Sequence, residues 1–225
     1  MYQFVTGPLA WIAFSIFGLG MLVRIVWYIR GLDWKLDRVP YRQYPLHALI
    51  GALRSIIFWL IPFGTHSWRK KPIITILLFV FHVGLLGVPL FLLAHNMLLK
   101  QGLGISLWTM PEKAADILTV VMILAGLGLF VRRMALPEVR IITTSYDILL
   151  LAITLAPFIT GFIARQVAAS DPFWVIVHII SAEITLIAIP FTKLAHVITF
   201  FLSRAQLGVD FGTKRGGLKG SHMAW

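Results

Sequence analysis

Five stretches of this chain are long enough and free enough of charge to cross a lipid bilayer, and nothing else in the sequence restricts the fold as much. They cover about residues 9–29, 72–99, 115–131, 147–163 and 173–202. A hydrocarbon core about 30 Å thick takes roughly 20 apolar residues as a helix. In lipid, backbone N–H and C=O groups must be satisfied internally, which leaves helices or a closed barrel. Continuous apolar runs without a period-2 alternation select helices. The composition agrees, with 59% hydrophobic and 13% charged residues where a soluble domain carries about 25% charged. The expected fold is therefore all-α, with five transmembrane helices. A further apolar segment, 46–63, carries a single charge, Arg54, lies between Pro45 and Pro62, and is short for a span. It is expected to be an interfacial helix before the second span; the alternative is a sixth crossing. Residues 1–205 then form one membrane domain and 206–225 a Gly- and Lys-rich tail, whose His222 stands apart from the chemistry. The start of the chain has no basic region or small-residue cleavage site, so the first span is expected to be retained.

Charge orients the spans. The segment from Arg24, at the inner end of the first span, to Lys71 holds Arg24, Arg30, Lys35, Arg38, Arg42, Arg54, Arg69, Lys70 and Lys71. Arg132, Arg133 and Arg140 lie between the third and fourth spans, and the end of the fifth span and the tail add Lys193, Arg204, Lys214, Arg215 and Lys219. The opposite side has only Lys100, Lys113 and Arg165. The positive-inside rule places the N-terminus outside and the C-terminus in the cytoplasm. Trp11, Trp108 and Trp174 then fall at the outer interface, and Trp27, Trp34, Trp59 and Trp68 near the inner one. The net charge of +11 reflects topology and anionic lipid, not nucleic acid. With no cysteine in the chain, disulfides, cysteine-ligated iron–sulfur clusters, covalently attached c-type haem and thiol catalysis are excluded.

Four histidines lie inside the spans, His82 and His95 in the second and His178 and His196 in the fifth. An ionisable side chain in a membrane is costly and marks function by default. The two spans run antiparallel, so depth pairs His95 with His178 toward the outer face and His82 with His196 toward the inner. On one continuous helix, His178 and His196 would share a stripe five turns and roughly 27 Å long. His82 and His95 would be about 140° out of phase on a straight helix, with Pro89 between them to kink it. Two helices with two histidines each suit two haems held by bis-imidazole ligation. The bland alternative is four buried histidines hydrogen-bonded to backbone or hydroxyls. Arg69, Lys70, Lys71, Arg132 and Arg133 on the inner side, and Arg165 on the outer, are candidates for haem propionates, although topology alone accounts for most of them. Gly84, Gly87 and Gly161 are candidates to admit a porphyrin face. Glu183, between the fifth-span histidines, is either a neutral, hydrogen-bonded acid or a proton carrier. His47 and His66 lie in the basic segment and read as solvated or interfacial.

Two motifs carry a family resemblance. Pro190-Phe191-Thr192-Lys193-Leu194-Ala195-His196 and Phe81-His82-Val83-Gly84 resemble the ligand regions of the cytochrome b (gamma) subunit of respiratory nitrate reductase. The nearest branch is similar to the membrane cytochrome b subunits of transmembrane redox complexes in sulfate-reducing bacteria, of the high-molecular-weight cytochrome complex type. The resemblance implies two haem b groups ligated by His82, His95, His178 and His196, and a place in a bacterial inner membrane with a periplasmic N-terminus. It implies electron transfer between menaquinone, or a periplasmic multihaem cytochrome c, and a cytoplasmic iron–sulfur subunit, within a respiratory complex that has other membrane subunits. It also suggests a quinone site near Lys100, with Asn96, Glu112 and Lys113 close by. The second-helix spacing and the segment before the second span depart from that family. A transporter with a His95–Glu183–His178 path and a haem-free membrane anchor are the competing readings.

Overall fold

The computed structural model describes residues 2–32 and 44–212. Trp34, Lys35, Arg38 and Arg42, and Lys214, Arg215, Lys219 and His222 of the tail, lie outside the described residues. The protein is all α, with no strand among the described residues. Its main helices are α1 (Tyr2–Arg30), α2 (Pro45–Leu60), α3 (Pro72–Phe91), α4 (Leu93–Leu103), α5 (Glu112–Ala135), α6 (Ser145–Val167), α7 (Pro172–Phe191) and α8 (His196–Gly212). Five of them, α1, α3, α5, α6 and α7, are long and apolar enough to cross a membrane, so the chain is a multi-pass membrane protein in contact with lipid. At 16 residues, α2 is about 24 Å long, shorter than the hydrocarbon core.

The chain forms two compact units. The first comprises the N-terminal residues up to Ala10 and Ile76–Thr185. Its core is Phe81 and Val88 of α3, Met122 and Ala125 of α5, and Leu155 and Phe158 of α6. The helices approach closely because small residues face large ones. A side chain at Gly84 would run into Met122, and one at Gly126 would lie 2.6 Å from Leu155. In lipid, such close van der Waals packing is a main source of helix association. The start of α6 is fixed by a capping box: the Asp147 N–H donates to the Thr144 hydroxyl, and the Thr144 N–H donates to the Asp147 carboxylate at 2.9 Å. At the other end of α6, Arg165 is ion-paired with Asp116 at 2.8 Å and Glu112 at 3.2 Å in the first turns of α5.

The second unit comprises Trp11–Thr75 and the described residues from Leu186 onward. Here α2 packs along α8. Gly51 meets Gly208 backbone to backbone, and Trp59 meets Arg204, so the two helices run antiparallel. The interfacial segment thus has a protein partner at the C-terminal end of the chain. The connection from α2 to α3 is held by Arg69, which donates to the carbonyls of Phe63 at 3.1 Å and Gly64 at 3.3 Å.

Two expected spans are corrected. The stretch 72–99 is not one helix: it breaks at Leu92, which is extended (φ −71°, ψ 134°). Pro89 has no N–H to continue the ladder, and the carbonyls freed by the break are taken up by side chains. Pro89 O accepts from His95 Nδ1 at 3.1 Å, and Leu90 O from Asn96 Nδ2 at 3.0 Å. The stretch 173–202 also breaks, at Thr192 (φ −123°, ψ −175°). The Thr192 hydroxyl caps the Leu194 N–H at 3.2 Å, and Arg24 Nε donates to Pro190 O at 2.6 Å. His178 and His196 therefore sit on different helices, α7 and α8, and the five-turn stripe between them does not exist.

Candidate functional site

His95 and His178 face each other in the first unit. Their ring centroids are 6.0 Å apart and their planes differ by 9°. The two imidazoles are thus stacked nearly parallel. Each ring is fixed from behind. His95 Nδ1 lies on Pro89 O, and His178 Nδ1 on Pro157 O at 2.8 Å. Gly161 makes room for the second ring, since a methyl there would stand 2.9 Å from His178. Gly161 thus seats the histidine itself, whereas Gly84 is filled by Met122.

The remaining two histidines belong to different units, His82 on α3 in the first and His196 at the start of α8 in the second. Each repeats the same local device. His82 Nδ1 contacts Leu78 O at 2.7 Å, and His196 Nδ1 contacts Lys193 O at 2.9 Å. A carbonyl oxygen can only accept, so in all four residues Nδ1 is the donor. Metal-ligating histidines almost always show this arrangement, because the carbonyl fixes both the tautomer and the ring orientation. Among the described residues, no three His, Asp or Glu gather as a metal site; the His95–His178 pair offers two nitrogens, the number axial haem ligation uses.

The other predicted site residues are placed as follows. Arg69 is engaged with the Phe63 and Gly64 carbonyls. Arg132 and Arg133 lie in the last turn of α5, where a cation complements the helix dipole, and Arg133 reaches the Thr143 hydroxyl at 3.4 Å. Arg165, the outer-side candidate, is committed to Asp116 and Glu112. Asn96 is buried as a clip: besides its bond to Leu90, its Oδ1 accepts from the Leu107 N–H at 2.8 Å. Lys100 is exposed on α4. Glu183 is 5% exposed, and neither carboxyl oxygen has a hydrogen-bond partner among the described residues. The face of α7 that packs on α6 is defined by His178, Ser181 and Thr185, through bonds to Pro157 O, Thr160 and Ile153 O. At 100° per residue, Glu183 points to the opposite face. Sequence reasoning missed Ser55, Trp59 and Arg204 as a group; the signal was the four-residue spacing of Gly51, Ser55 and Trp59 on one face of α2.

No family model matches the chain. A protein from Nitratidesulfovibrio vulgaris (strain Hildenborough) is 49% identical to it over 226 residues, covering 100% of both sequences. At that identity and coverage, the chain belongs to the same family as the Nitratidesulfovibrio vulgaris protein.

Proposed function

We propose that this chain is a dihaem cytochrome b subunit of a respiratory redox complex. In this reading it conducts electrons across a bacterial inner membrane, with a periplasmic N-terminus and a cytoplasmic C-terminus. The observation that supports the proposal is the shared arrangement of the four histidines, each with Nδ1 on a backbone carbonyl, a contact that metal-ligating histidines make with the ring nitrogen away from the metal. The nearly parallel His95 and His178 rings bring two imidazoles together, as the first haem requires. A haem held by two imidazoles supplies one-electron chemistry with no open coordination position. The chain's own work is to fix the imidazoles at helix breaks and to surround them with apolar helices. His82 and His196 are the proposed ligands of the second haem, and Arg69, Arg132 and Arg133 the proposed propionate cations. Glu183 and Lys100 are proposed to serve proton and (mena)quinone chemistry; a buried carboxyl without a partner is costly unless it has such a use.

A chain with small connections and no other redox centre must pass electrons to something else. The proposed partners are a cytoplasmic iron–sulfur subunit docked beside His196, a periplasmic multihaem cytochrome c and other membrane subunits. The purified chain is expected to show reduced b-type absorption bands and two haems per polypeptide. A preparation that is folded and free of haem would sink the proposal and leave the anchor and transporter readings. Orientation is tested separately. A reporter active only in the periplasm, fused after Gly212, is expected to stay silent, and activity there would exchange the inner and outer faces.

A further inference from the structure

We propose that the α2–α8 pair binds an oxyanion, a carboxylate or a phosphate, between Ser55, Trp59 and Arg204. Ser55 is fully buried and its hydroxyl has no hydrogen-bond partner among the described residues; the Trp59 indole N–H, one turn further along the same face of α2, is also buried without one among them. This is the face that meets α8, because Gly51, one turn before Ser55, contacts Gly208. The Arg204 guanidinium lies 4.7 Å from the Trp59 ring. Two buried donors without acceptors cost about 1–3 kcal/mol each, and native proteins hold few such groups without a bound partner to explain them. Burial also pushes the Arg204 pKa below its ordinary value, so an anion beside it would recover lost solvation. The carboxylate on the same helix, Asp210, lies six residues further on, and the Tyr28 hydroxyl next to it donates to Gln206 at 2.5 Å. Two O–H or N–H donors and one guanidinium are the group set that binds a planar carboxylate or a phosphate.

The oxyanion has two possible sources. One is a propionate of the haem assigned above to His196: Arg204 follows His196 on α8 by eight residues, about 12 Å along the axis, and this arm rests on the proposed function. The other is the phosphate of an anionic lipid at the cytoplasmic interface, and this arm does not. The test uses the full chain purified with its native lipids, and the paired substitutions Ser55→Ala and Trp59→Phe, which remove both donors and keep the packing. Arg204→Lys serves as a milder second variant if the pair folds poorly. Phosphatidylglycerol retained per chain is counted by native mass spectrometry, and the midpoint potential of each haem is titrated. For the lipid source, phosphatidylglycerol binding is expected to weaken at least tenfold, with haem potentials unmoved. For the propionate source, one haem potential shifts by an amount equivalent to tenfold in its redox equilibrium, about 59 mV for one electron, with lipid unchanged. A wild-type chain without haem leaves the lipid arm to decide alone. Variants that match wild type in both readouts overturn the site.

Discussion

If the chain binds two haems as proposed, a His178→Ala chain is expected to carry one, with the spectrum of the remaining haem unchanged. His178 faces His95 at a centroid distance of 6.0 Å, and no other described histidine stands in that pair, so its loss leaves an iron with a single strong ligand. His196→Ala is expected to remove the other haem, because His196 sits on α8 in the second unit. Gly161→Val tests the same assignment without touching a ligand. Its side chain would begin 2.9 Å from the His178 ring, pushing the imidazole off the Pro157 carbonyl. The expected result is the same haem lost or converted from low spin to high spin. Haem stoichiometry, with circular dichroism to confirm retained helix, checks all three. Loss of both haems from either histidine substitution in a folded protein would break the pairing.

The approach of His95 to His178 was legible in the sequence because depth in antiparallel spans is set by counting residues at 1.5 Å each. The number and type of the spans were legible for the same reason, since apolar length alone decides them in a bilayer. The helix breaks were not. Pro89 and Pro190 announce a kink, but where the chain opens depends on which side chains take the freed carbonyls. Near Pro89 these are the side chains of His95 and Asn96, and near Pro190 the taker is Arg24, far away in sequence. Treating 173–202 as one helix placed His178 and His196 on a shared stripe, and the Thr192 break removes that argument while leaving each histidine its own carbonyl. The ion pairs of Arg165 were not legible, because a charge count cannot see Asp116 and Glu112 one helix away. The partner of α2 was likewise hidden: Gly51 and Gly208 read separately as two of many membrane glycines, and only their contact gives them meaning.

That contact carries the largest expected effect on stability. A side chain at Gly208 would meet the Gly51 carbonyl, with its carbon at 2.7 Å and the Ala52 Cα at 2.8 Å; one at Gly51 would meet the Gly208 carbonyl in return. All of these are backbone atoms, which cannot rotate away as a side-chain end can. Gly208→Val must therefore drive α2 off α8, separating Trp59 from Arg204. Overpacking of this kind costs about 3 kcal/mol or more, equivalent to a fall in Tm of about 6–12 °C for a chain of this size. Gly18→Ala in α1 is the matched comparison. A methyl there meets nothing within 4 Å, and alanine favours the helix by up to about 1 kcal/mol over glycine, so its Tm is expected to stay level or rise slightly. Thermal unfolding of the two variants in the same detergent measures the difference. Equal melting of Gly208→Val and the native protein would mean that α2 and α8 are not held in backbone contact, and the oxyanion site between them would fall with that result.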